Sequence, residues 1–320
     1  MLACLWGTRG SLPASVRTEN VEKKIKLALE AALAQGLKAG DDVDAFIRTL
    51  GFEVRGSYGC NTSCVEIRGA PLNPEGTWVV CDSGSGLRDF GNHVMRSGPG
   101  PKTIHILQSH IHWDHIHGFP FFVPAFIPGN TIHIWGCHKD LEKAFVEQQE
   151  PMCFPLRLSE MRATIVFHPM DCTQQYDIAG LHLKIIKQNH PGDSYGYRFE
   201  RGGKSIVYST DSEHMPDAYD DDYRFIPFFQ GADLLVFDAQ YNLTEHFHTK
   251  ASWGHSSNMM GVELAVRAGV KRLCLFHNEH TVDDHQLEKF LKDTRRYLEI
   301  HDASSKLQID LAYDGLELAV

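Results

Sequence analysis

Between positions 110 and 115 the chain reads His110-Ile111-His112-Trp113-Asp114-His115, and its His and Asp side chains are types that hold metal ions. Imidazole nitrogen and carboxylate oxygen both suit zinc, manganese and iron. In an extended segment His110 and His112 point the same way and can share one ion. Past a turn, Asp114 and His115 reach a second ion close by. Two ions a few ångströms apart form a clamp for hydrolysis. The chain carries 19 histidines in 320 residues, so a run of this kind arises by chance with a likelihood below about 1%. The plainer alternative is a surface loop rich in histidine. The strand predicted before the run and the apolar Phe119-Pro120-Phe121-Phe122 after it speak against that.

Something rigid must present these residues. Runs rich in β-branched and aromatic residues predict strands over 3–6, 64–68, 77–81, 103–107, 131–135, 164–167, 181–187, 195–200, 205–209, 234–237, 272–276 and 307–312. Apolar periodicity predicts helices over 139–149, 258–268 and 284–300, with Ser256 or Ser257 capping the second and Gly269 following it. The mixture predicts an α+β fold, a four-layer αββα sandwich forming a single domain over 1–320. Val21, Ile25, Leu27, Leu29 and Leu33 have helical spacing, continued over 41–50. They predict a helical insertion or flap over 15–55, or a simple cover for the fold. His110, Asp211, Asp238 and His277 each fall at or just after the end of a predicted strand, so they are expected to converge on one rim.

The run His-x-His-x-Asp-His, with these strands around it, resembles the metallo-β-lactamase superfamily along nearly the whole chain. The resemblance implies that His190 in Asn189-His190-Pro191, Asp211 in Thr210-Asp211-Ser212 and His277 in Phe276-His277-Asn278 complete the metal site. It implies one ion on His110, His112, His190 and Asp211, and another on Asp114, His115, Asp211 and His277. Asp82 in Cys81-Asp82-Ser83-Gly84 is expected to orient the histidine loop. An aspartate at the bridging position is similar to the phosphodiesterase-like branches, whereas the antibiotic-hydrolysing ones have a cysteine. Trp253-Gly254-His255 and Phe237-Asp238-Ala239 resemble the branch of tRNase Z and the phosphoribosyl cyclic phosphate phosphodiesterases. That implies a catalytic trio: Asp114 handles the proton of an attacking metal-bridging hydroxide, and Asp238 orients His255. His255 in turn binds phosphate or protonates the departing oxygen. The alternative is that Asp238 and His255 simply pack together.

His190 and Asp211 lie 21 positions apart, too close for the flexible arm with which tRNase Z enzymes hold tRNA. The net charge of −10 also weighs against a polynucleotide. The expected substrate is a small cyclic phosphodiester, either a cyclic nucleotide or a cyclic sugar phosphate, with no nucleic-acid polymer as partner. The opening Gly7-Thr8-Arg9-Gly10-Ser11 and Trp113, Phe119 and Phe121 are candidates for lining its pocket, Arg9 either meeting phosphate or making a structural ion pair. Rival readings on the same metals are hydrolysis of a lactone, a thioester or a phosphorylcholine ester, or a non-catalytic ligand sensor. The cofactors expected are two divalent metal ions, zinc first, with manganese or iron as alternatives. The resemblance also favours a homodimer. No apolar run approaches the roughly 20 residues of a membrane span, and the first residues lack the charged and apolar regions of a signal peptide. Eight scattered cysteines read as reduced thiols in a cytoplasmic protein. Cys60 and Cys64 have a metal-knuckle spacing, but no second pair follows.

Overall fold

Strands in this chain carry apolar residues on both faces, so each sheet must be covered twice. In β3 (Thr77–Cys81) Val80 joins one apolar cluster while Val79 and Cys81 join another. In β12 (Arg272–Phe276) Leu273 and Leu275 diverge in the same way from Cys274 and Phe276. The computed structural model describes residues 1–69, 76–214, 216–242 and 253–320, and it satisfies this demand with two packed seven-stranded sheets.

The first sheet runs, from edge to edge, β14 (Leu316–Ala319), β1 (Leu2–Gly7), β2 (Cys64–Arg68), β3, β4 (Thr103–Leu107), β5 (Thr131–Gly136) and β6 (Thr164–Pro169). The second runs β13 (Gln308–Leu311), β12, β11 (Leu234–Asp238), β10 (Lys204–Ser209), β9 (Ser194–Arg201), β8 (Leu181–Gln188) and β7 (Tyr176–Ile178). Leu107, Tyr197, Tyr208 and Phe276 fill the space between the sheets. Outside the first sheet, α4 (Leu87–Arg96) and α6 (Leu141–Gln148) bury Phe90 and Phe145. Outside the second, α8 (Asn258–Arg267) and α9 (Asp284–His301) bury Leu264 and Leu291. The order of layers is αββα, as expected.

Within 15–55 lie α1 (Thr18–Gln35), α2 (Val43–Thr49) and α3 (Phe52–Arg55). Lys24 anchors α1: its Nζ donates to the carbonyls of Glu53 and Gly56 and pairs with Asp284 at 2.7 Å. Val21, Ile25, Leu29 and Leu33 face outward and are exposed. α4 is an element that periodicity did not predict. Gly91 interrupts its pattern, yet a Cβ there would sit 2.8 Å from the Phe122 ring, so the close approach demands glycine. Two short helices complete the set used below, α5 (Trp113–Ile116) and α7 (Phe225–Phe229). β7 and β14, of 3 and 4 residues, also escaped the pattern.

Candidate metal centre

Strand direction brings the chemistry-bearing residues to one edge. β3, β4 and β5 are parallel, as are β10, β11 and β12. β8 and β10 are both antiparallel to β9, so the two run the same way. His190 therefore leaves β8 where Asp211 leaves β10, Asp238 ends β11 and His277 follows β12. From the facing sheet, β4 leads to His110, and α5 turns Asp114 and His115 back towards the same point.

The donor atoms of His110, His112 and His190 lie within 4.8 Å of one another, and so do those of Asp114, His115, Asp211 and His277. Asp211 straddles the two groups. Its Oδ2 is 3.6 Å from His110 Nε2 and 3.9 Å from His190 Nε2. Its Oδ1 is 3.2 Å from His115 Nε2 and 3.4 Å from His277 Nε2. Asp114 Oδ2 stands 3.3 Å from both of these last nitrogens.

The histidines are held by their other ring nitrogen. Nδ1 of His115 meets Asp82 at 2.8 Å, that of His190 the Gly254 carbonyl at 2.7 Å, that of His110 Ser109 Oγ at 3.0 Å, and that of His277 the Gln240 carbonyl at 3.2 Å. Each contact leaves Nε2 as the atom facing the centre. Asp82 also accepts from the Ser109 backbone N–H and hydroxyl, Gln108 and Tyr208, which locks the loop carrying His110. Ser11, Asp82, Asp211 and His277 adopt positive φ of 62°, 62°, 43° and 62°, a strained backbone at about 1–3 kcal/mol each. Gly254, at φ 84°, permits the close approach to His190, since a Cβ there would lie 2.3 Å from Nδ1.

Two observations test whether these residues fit metal ions. Nε2 of both His110 and His115 is buried with no hydrogen-bond partner among the described residues, although carboxylate oxygens of Asp211 lie 3.6 and 3.2 Å away. Among the described residues, no Lys or Arg lies within ion-pair distance of Asp82, Asp114, Asp211 or Asp238. Buried carboxylates require countercharge. Burial pushes the imidazoles of His110, His112 and His190 down, leaving neutral nitrogens fit to ligate. For His115 and His277 burial also opposes charge, but the surrounding carboxylates, Asp211 first, outweigh it. His115 is raised well above the ordinary histidine value and His277 to about 9. Desolvation works against the charged forms of Asp114 and Asp211, yet the histidines around them, His115 first, hold both carboxyls well below the usual range. Divalent cations match that field and replace those protons at the same nitrogens.

Beside the centre, His255 Nδ1 lies 3.0 Å from Asp238 Oδ2. Asp238 is fully buried and also accepts from the backbone N–H groups of Ser212 and Gln240. His255 lines an open cavity of 410 Å³ with Ser11, Trp113 and Asp114. Of the pocket expectations, Arg9 takes its structural alternative, and Phe119 and Phe121 are corrected. Arg9, 3% exposed, donates to the carbonyls of Gly59, Glu279 and Val282, so it is a strut rather than a phosphate contact. Phe119 is buried in the layer under α4. Phe121 is exposed but packs edge-on against Phe154 and does not line this cavity. Sequence reasoning missed the role of Gln240, which no spacing marks; Ser11, expected as pocket lining, also donates its backbone N–H to Asp114 Oδ2 at 2.9 Å.

Known proteins bear on this arrangement. Residues 77–278 match the family model described as the Beta-lactamase superfamily domain. The probable metallo-hydrolase YhfI of Bacillus subtilis is 26% identical over 205 residues, 61% of this chain and 75% of the relative. Ribonuclease Z of Exiguobacterium sibiricum is 24% identical over 257 residues, 65% and 81% of the two chains. The crystal structure of YhfI superposes with a TM-score of 0.62 at 17% identity, over 99% and 98% of the chains. A diphosphatase from the PhnP family gives 0.60 at 19%, over 100% and 97%. Low as these identities are, the shared fold and the family match over most of the length agree: the chain belongs to the metallo-β-lactamase superfamily and is a metal-dependent hydrolase.

Proposed function

We propose that the chain hydrolyses a small cyclic phosphodiester, using two divalent ions. One would be held by His110, His112, His190 and Asp211, the other by Asp114, His115, Asp211 and His277. The observation that carries this reading is the His255–Asp238 pair standing beside two donor groups divided by the oxygens of Asp211. The similarity to proteins named ribonuclease Z and to a PhnP-family diphosphatase supports phosphate-ester chemistry. Zinc is the proposed metal; the donor set suits manganese and iron as well.

When bound, such ions acidify water towards neutral pH and neutralise charge growing on phosphate oxygens. The protein's own groups do the rest. Asp114, fixed by the Ser11 N–H, orients the attacking water and accepts its proton. His255, its Nδ1 engaged by Asp238, turns Nε2 to the cavity, holds the phosphate and protonates the departing oxygen. In a cyclic substrate that oxygen stays tethered to the product. A polynucleotide fits poorly: β9 and β10, joined by Gly202 and Gly203, fill the interval between His190 and Asp211, and among the described residues no Lys or Arg lines the cavity. In this reading 1–320 forms one domain, with 15–55 as an insertion in it.

Metal analysis of the purified protein tests the centre, with two ions per chain expected. Turnover of cyclic phosphodiesters, linear phosphodiesters, lactones and thioesters, with each metal restored, tests the substrate. Hydrolysis of lactones alone would sink the assignment, and tight nucleotide binding without turnover would make the chain a sensor.

A further inference from the structure

The cavity over the donor atoms has an unusual rim. Trp113, the first residue of α5, lines it and is 83% exposed. Tryptophan ordinarily gains by burial; nearby Ile116, Phe119 and Phe122 are in the core, and Phe121, also exposed, rests against Phe154. The indole is not on a loose tip either. His115 N–H donates to the His112 carbonyl and His117 N–H to the Trp113 carbonyl, so the turn that sets Asp114 and His115 also sets Trp113.

A cyclic phosphodiester carries one negative charge, which the metal centre would meet. The remainder of the substrate must be gripped by the cavity wall, which among the described residues holds no Lys or Arg. What it offers is the planar π surface of Trp113 and the aliphatic side chain of Ile111. A furanose ring has no flat π face to lay there. A nucleobase has, and every base stacks on an aromatic ring.

We infer that the substrate bears a nucleobase and that Trp113 is the platform on which the base stacks. This rests on the phosphodiesterase reading and selects a cyclic nucleotide over a cyclic sugar phosphate.

Two measurements on the metal-loaded full-length protein decide it. In the first, AMP and ribose 5-phosphate are titrated while tryptophan fluorescence is read. AMP should quench and bind about ten-fold or more tightly than ribose 5-phosphate, and the quench should vanish in Trp113→Phe. Equal binding of the two, or a quench that survives in Trp113→Phe, overturns the inference. In the second, kcat/KM is compared for 2′,3′- and 3′,5′-cyclic AMP and for the base-free methyl riboside 2′,3′-cyclic phosphate. A preference of about ten-fold or more for a base-bearing substrate should collapse in Trp113→Ala and persist in Trp113→Phe. A preference that Trp113→Ala leaves intact overturns it. If no phosphodiester is hydrolysed while AMP still quenches through Trp113, the phosphodiesterase reading fails and the stacking platform stands.

Discussion

The side-chain carbonyl of Gln240 lies 3.2 Å from Nδ1 of His277, while its amide reaches Glu279 Oε2 at 3.2 Å and Ser11 Oγ at 3.4 Å. Gln240 thus joins one histidine of the centre to the loop whose N–H holds Asp114. The Nδ1 it accepts from is the one that must stay protonated if Nε2 is to ligate. Gln240→Ala should weaken one ion by about 10- to 100-fold and leave the ion on His110, His112 and His190 nearly unchanged. Stepwise metal titration against a chromophoric chelator reads both affinities. Equal weakening of the two ions, or of neither, would remove Gln240 from this role.

His255 and Asp238 carry a second expectation. His255→Ala should retain both metals and slow turnover by about 10²- to 10⁴-fold, with the largest loss for substrates whose leaving oxygen is most basic. Asp238→Asn should show the same trend more weakly. Loss of an ion from His255→Ala, measured by elemental analysis, would make His255 a ligand and redistribute the roles.

Arg9 provides a control on the pocket. Removing its guanidinium strands three half-buried carbonyls and leaves Asp284, 3.8 Å away, with less countercharge. Arg9→Ala should lower stability by about 3–5 kcal/mol in urea unfolding, with KM little changed in the folded fraction. A raised KM at unaltered stability would return Arg9 to the phosphate.

A histidine cluster far from the metal centre predicts the acid limit of stability. On β4, β5 and β6, His105 stacks on His133 at 4.8 Å, His133 Nδ1 meets His168 Nε2 at 2.9 Å, and Trp135 Nε1 donates to His105 at 3.2 Å. Burial, then the neighbouring His133 and His168, bring His105 down from 6.5 to about 4. His133 and His168 are lowered too, first by burial. The unfolded chain therefore binds more protons than the folded one in this interval. Stability from this source is complete above pH 6.5 and drains away as pH falls to about 4. Unfolding free energies across that range should fall, and His105→Gln should flatten the slope. An unchanged slope in the variant would assign acid sensitivity elsewhere.

Features set by local spacing were legible in the sequence. The run from His110 to His115 announces its chemistry within one strand end and one turn, and most strands were visible because apolar side chains on both faces leave long β-branched runs. Contacts made at long range were not. Gln240 meets His277 only because β11 and β12 lie side by side in parallel, and Arg9 meets carbonyls as far off as Val282 through folding alone. Gly91 masked α4, since its purpose is closeness to Phe122 rather than helix propensity. Trp113 was legible as a pocket residue from its place inside the histidine run, whereas Phe119, equally near, turned into the core because the turn of α5 sends it there.

His110, Asp114 and His115 hang from the first sheet, whereas His190, Asp211, Asp238 and His277 hang from the second. Hydrogen bonds from Tyr208 to Asp82 and from Tyr197 to the Gln108 carbonyl already cross that seam at 2.7 and 2.6 Å. Ions gripped from both sides would rivet the two leaves together, and chelation should then lower the melting temperature and speed amide exchange in both sheets at once. The supply of metal would thereby set how long the folded chain survives, as well as how fast it works.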